Sequence, residues 1–146
     1  MADLGKILET YTYKKIDIDN IIKILNEIFD DDVCFYVSNN FIFQETHGYE
    51  SETFLLFPYS SEYIEEYFEI FKNSISSISK EELEDVLFLI NTYYDSVSTF
   101  LLQLFAYFLV ATHRNFEDIP PLRGEHKFAR ILKTLEGYFH EILSLS

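Results

Sequence analysis

A lone cysteine, Cys34, cannot close an internal disulfide, so the chain does not read as a cross-linked secreted scaffold and suits a reducing compartment. Glycine is sparse: Gly5, Gly48, Gly124 and Gly137 stand alone, none in a strand–glycine–helix arrangement, which argues against the phosphate-cradling loops of nucleotide-hydrolysing enzymes. His47, His113, His126 and His140 fall in separate segments, without a His-Glu-x-x-His pattern or cysteine partners, so neither a metal nor a cofactor is expected. Asp30-Asp31-Asp32 lacks the alternating ligands and the turn glycine of a calcium loop and reads as a charged turn after a helix. Long apolar runs are missing too. The stretch from Val86 to Ala111 is broken by Asn91, Asp95 and Gln103, and its cleanest piece, Phe100 to Ala111, falls well short of the roughly 20 residues that span a bilayer. It reads as a buried core helix. Met1-Ala2-Asp3-Leu4-Gly5-Lys6 has no basic leader or apolar core, and Leu143-Ser144-Leu145-Ser146 carries no lipidation signal, so a cytoplasmic location is expected.

The most informative absence is of positive charge. Between Lys23 and Lys72 there is no lysine or arginine, while the same window carries Glu27, Asp30, Asp31, Asp32, Glu45, Glu50, Glu52, Glu62, Glu65, Glu66 and Glu69. From Leu101 onward, Arg114, Arg123, Lys127, Arg130 and Lys133 balance Glu117, Asp118, Glu125, Glu136 and Glu141. The net charge of -14 is therefore concentrated rather than spread, which disfavours direct contact with nucleic acid or an anionic membrane.

What is present is core material. The 146 residues are 48% hydrophobic and 18% aromatic, too much apolar matter for a disordered chain, and they fit a single domain, 1–146. Leu4, Ile7, Leu8 and Tyr11 recur at helical spacing over Asp3 to Tyr13. Ile18, Ile21, Ile22, Leu25 and Ile28 do the same over Asp17 to Phe29, with Asp17 as N-cap. Three short β-branched and aromatic runs follow: Val33 to Ser38, Phe41 to Glu45 and Thr53 to Phe57. Asn39-Asn40 between the first two tolerates the left-handed backbone of a two-residue hairpin, and His47 to Ser51 makes a longer second turn. After Pro58, Ile64, Phe68, Phe71, Ile75 and Ile78 form an apolar helical stripe, and Ser79 with Glu82 forms a capping box for a helix starting near Lys80. The apolar stretch beyond it is one long helix or two meeting near Asp95 and Ser96. Arg114 to Arg123, with Pro120-Pro121, is a loop before a closing helix marked by Phe128, Ile131, Leu132, Leu135, Phe139 and Ile142. The expected fold is α+β, mainly helical, with a small three-stranded antiparallel meander over about residues 33–57 packed against helices. In that meander Cys34 reads as a buried small hydrophobe. The pieces Asn26 to Cys34 and Leu135 to Glu141 resemble poxviral helical host-defence proteins, but strands over Val33 to Phe57 do not suit an all-helical fold, and no family is assigned.

Adjacent acid and imidazole pairs, Glu45 with His47 and Glu125 with His126, arise by chance and do not make a catalytic site, so no enzyme is expected. The residues placed at a partner-binding surface are Glu45, Glu50, Glu52, Glu62, Tyr63, Glu65, Glu66, Tyr67 and Glu69, with the helix glutamates opposite the Ile64, Phe68, Phe71 stripe and the tyrosines on its flank. Arg123, Lys127, Arg130 and Lys133 are expected to face the acidic half of the same molecule or of a second copy. The function these features predict is that of an acidic inhibitor: an immunity protein or antitoxin that blocks a basic, nuclease-type toxin. A phage or viral antagonist of host defence, or a homodimeric adaptor or chaperone, is the alternative.

Overall fold

The structure of the chain, a computed structural model, describes residues 16–48, 50–75, 80–93 and 97–134. The helix expected over Asp3 to Tyr13, Ser79 of the capping box, and Leu135, Phe139 and Ile142 of the closing helix lie outside the described residues. Within them the order is α1 (Ile18–Ile28), β1 (Val33–Ser38), β2 (Phe41–Thr46), β3 (Glu52–Pro58), α2 (Ser61–Ile75), α3 (Lys80–Tyr93), α4 (Val97–His113), a 3-10 turn (Phe116–Asp118) and α5 (Lys127–Thr134). The fold is α+β, with one antiparallel sheet of order β1-β2-β3, as the residue pattern predicts.

Asp17 starts α1, its carboxylate accepting a hydrogen bond from the Asp19 amide at 3.0 Å. The buried stripe is Ile18, Ile21, Ile24, Leu25 and Ile28. Ile22, expected in it, is half-buried, and Ile24, equally far from the stripe's centre on its other side, is buried instead. The helix ends at Phe29, which bridges to Leu122; the Asp30 amide donates to the Pro121 carbonyl and the Arg123 amide to that of Ile28. The proline loop is thus sewn onto the end of α1.

Asn39 (φ 51°) and Asn40 (φ 67°) both take the left-handed backbone that a two-residue hairpin requires, which fixes the pairing of Ser38 with Phe41 and hence the register of β1 on β2. Between β2 and β3 the register shifts: Ile42 pairs with Phe57 and Phe43 with Leu55, leaving Leu56 as a bulge. Val33, Phe35, Ile42 and Phe57 point into the core. Cys34, expected to be buried, is exposed, since strand alternation gives the inner face to its neighbours Val33 and Phe35. The sheet's outer face carries Cys34, a stacked Tyr36–Phe43 pair, and the exposed side chains of Phe41 and Leu55.

The edge of β1 is closed from within. The Asn26 carboxamide, projecting from α1, accepts from the Phe35 amide at 2.8 Å and donates to the Phe35 carbonyl at 3.0 Å, as a neighbouring strand would.

The core centres on α4, buried along nearly its whole circumference through Phe100, Leu101, Leu104, Phe105, Phe108, Leu109 and Val110. It packs against α1, α2, α3, α5 and β3. Each large side chain so buried contributes about 1.5–3 kcal/mol over its exposed state, the main reason this apolar stretch sits centrally. The stretch forms two helices, α3 and α4, on either side of residues 94–96. No helix among the described residues is long and apolar enough to cross a membrane.

Candidate protein-binding face

Ser60 opens α2: its hydroxyl accepts from the Tyr63 amide at 3.3 Å and its carbonyl from the Ile64 amide at 3.1 Å. The helix then buries Ile64, Phe68, Phe71 and Ile75 and leaves Glu62, Glu65, Glu66 and Glu69 in solvent. These four glutamates, with Ile16, line one shallow cleft of about 390 Å³. Steps of three and four residues place them as nearest neighbours along the helix surface, where each like-charged pair is destabilising by about 0.2–0.5 kcal/mol. Among the described residues one relieving contact is present: Lys72 Nζ lies 3.0 Å from Glu69 Oε1.

Tyr63 and Tyr67, expected to flank these carboxylates as contact area, turn inward instead. Their rings lie 4.8 Å apart and pack against His113 of α4, with Phe57 of β3 completing the cluster at 5.0 Å from the imidazole. Both tyrosines are half-buried, because they flank the Ile64, Phe68 stripe on the side where His113 packs. His113 Nδ1 lies 2.6 Å from the Leu109 carbonyl oxygen, which can only accept, so that nitrogen carries the proton. Nε2 therefore accepts from the Tyr63 hydroxyl, also at 2.6 Å. Burial pushes the Tyr63 phenol up, helped by the Tyr67 hydroxyl and the Glu66 carboxylate, and it stays protonated as the donor in this bond. The cluster fixes the acidic helix to β3 and α4.

Burial also lowers the pKa of His113, against the opposing pull of the Leu109 carbonyl, and lowers that of His126, where Glu27 opposes and Arg123 and Lys127 assist. Above about pH 6.5, the ordinary histidine value, both rings are neutral folded or unfolded and add nothing to the pH dependence. Below it the unfolded chain binds protons that the folded chain refuses, so stability falls with pH until the folded values are passed. The urea midpoint is expected to drop between pH 7 and pH 5, and His113→Gln should flatten that drop. A midpoint that rises over this range would contradict the buried, neutral state.

The remaining carboxylates lie elsewhere. Glu45 and Glu52 sit at the end of the sheet away from the asparagine turn, with Glu50 exposed in the adjoining loop, and none of the three lines the α2 cleft. Glu45 Oε1 is 3.7 Å from His47 Nε2 at the surface. Arg123 reaches back to pair with Asp31 and donates to the Asn26 carbonyl, so the acidic turn after α1 is partly neutralised from within the chain. No group of three or more histidine, cysteine, aspartate or glutamate side chains among the described residues is placed to hold a metal ion.

Compared with family models, curated proteins and solved structures, the chain matches none. Its site is therefore read from its own geometry. Sequence reasoning found the α2 glutamates and missed Asn26 and the coupling of His113 to Tyr63. The signal for His113 was available, since a histidine closing an otherwise apolar helix needs polar partners for both ring nitrogens.

Proposed function

We propose that the chain is an inhibitory binding protein that blocks the cationic surface of a partner, the reading that fits an immunity protein or antitoxin directed at a basic, nuclease-type toxin. One observation carries this reading: Glu62, Glu65, Glu66 and Glu69 stand exposed on a single cleft, on a helix whose other side is anchored in the core. Four carboxylates held so close form a preorganised site for lysine and arginine side chains that would otherwise grip phosphates. Such a field speeds encounter with a basic surface and slows as salt rises, the screening length falling to about 8 Å at physiological ionic strength. Mechanism here means occlusion, with no bond made or broken.

The quadruple variant Glu62→Gln, Glu65→Gln, Glu66→Gln, Glu69→Gln keeps the size and polarity of the face and removes its charge. Association with basic nucleases, measured at several salt concentrations, is expected to slow about tenfold or more at low salt and to lose most of its salt dependence. Equal rates and equal capture for both proteins would remove the α2 face from the account.

A further inference from the structure

The two edges of the sheet are not alike. On β1, Asn26 occupies the hydrogen-bonding groups of Phe35, and the Asp30 carbonyl takes the Val33 amide, leaving Val37 beside the turn. Among the described residues β3 has no such cover. Because the two-residue turn makes Ser38 and Phe41 a hydrogen-bonded pair, alternation directs the backbone groups of Ile42, Gln44 and Thr46 toward β3, where they face Phe57, Phe54 and Glu52. Thr53 and Leu55 between these partners turn their amides and carbonyls outward, and among the described residues nothing bonds to them. The Leu55 side chain is 54% exposed on the outer face, and Glu45 lies directly across from Thr53 on that same face. Glu50 and Glu52 are exposed at the strand's start.

We propose that the β3 edge at Thr53 and Leu55 takes up an extended, lysine- or arginine-bearing segment of a partner protein as a fourth strand. The proposal rests on the reading above only in that the partner is cationic. Two residues offering an amide and a carbonyl each can make four ladder bonds, the interaction that strand addition uses for affinity. Selectivity comes from the side chains. The residue opposite Leu55 meets an exposed apolar surface, while a long cationic side chain opposite Thr53 shares its face with Glu45. A second copy of this chain fits less well, since it would bring an equal negative charge to the same edge.

The test uses an eight-residue peptide whose one face alternates valine with lysine, threonine filling the other face, and the same peptide with every backbone amide methylated, which retains the charge and loses the donors. The unmodified peptide is expected to bind at least tenfold more tightly than the methylated one and to slow hydrogen exchange at the Thr53 and Leu55 amides. The double variant Thr53→Pro, Leu55→Pro removes only the outward-facing amides and keeps the carbonyls, so it should bind the unmodified peptide at least tenfold more weakly than the native chain does while melting as a folded protein. The α2 glutamine variant should still distinguish the two peptides, which separates this proposal from the previous one. Equal affinity of the two peptides for the native chain, or unchanged exchange at both amides, overturns the proposal. So does a dimer in sedimentation whose Thr53 and Leu55 amides are already protected.

Discussion

Replacing Phe71 by alanine is expected to cost about 3–5 kcal/mol, the largest effect of any single substitution considered for this fold. Phe71 is fully buried, and its ring lies 5.2–6.2 Å from those of Phe68, Phe105 and Phe108, so truncation leaves a hole bounded by three aromatic side chains on two helices. Those neighbours are held by their own helices and can collapse into it only in part, which is why a cavity term adds to the lost transfer free energy. Against a total stability of about 5–15 kcal/mol, such a loss leaves a chain of this size marginal. Urea unfolding should show a lowered midpoint with unchanged slope, and Phe71→Leu should fall between the native chain and Phe71→Ala. A loss under about 1 kcal/mol would mean that α2 is not seated on α4 as described. The consequence reaches the binding face, because the stripe that Phe71 belongs to is what aims the four glutamates outward.

Much of this arrangement is legible in the residues alone. The strands are short runs of β-branched and aromatic side chains with asparagines at the one turn that demands a left-handed backbone, and the observed boundaries, Val33–Ser38, Phe41–Thr46 and Glu52–Pro58, differ from the expected ones by at most one residue. The glutamates of α2 are equally legible, since periodicity alone sets them opposite Ile64, Phe68 and Phe71. What periodicity cannot give is the environment of residues on the border between two faces. Tyr63 and Tyr67 lie on such a border, and a neighbour distant in sequence, His113, decides that they face inward. Cys34 fails for a related reason: a run such as Val-Cys-Phe-Tyr-Val does not say which alternate set is buried until β1 meets α1.

Asn26 is the residue whose role is least legible and whose replacement has the second-largest expected effect. In the sequence it is one polar position at the margin of an amphipathic helix. In the fold its carboxamide is fixed by its own helix, donating to the Ile22 carbonyl at 3.2 Å as well as to Phe35, so it is already oriented when β1 arrives. Asn26→Ala deletes both bonds to Phe35 and leaves a half-buried amide and carbonyl unpaired, at an expected cost of about 2–3 kcal/mol. Asn26→Asp is the sharper probe. It can still accept from the Phe35 amide, yet it loses the donor and sets a carboxylate against a carbonyl oxygen, so it should be no more stable than the alanine variant. Both changes also open an edge that the native chain keeps closed, and an open edge is a template for further pairing. The variants are therefore expected to show faster exchange at the Phe35 amide and self-association that increases with concentration, even under conditions where most molecules remain folded. Full stability in Asn26→Ala would mean that water substitutes for the carboxamide at no cost, and the contrast between a stoppered β1 edge and an open β3 edge would lose its physical basis.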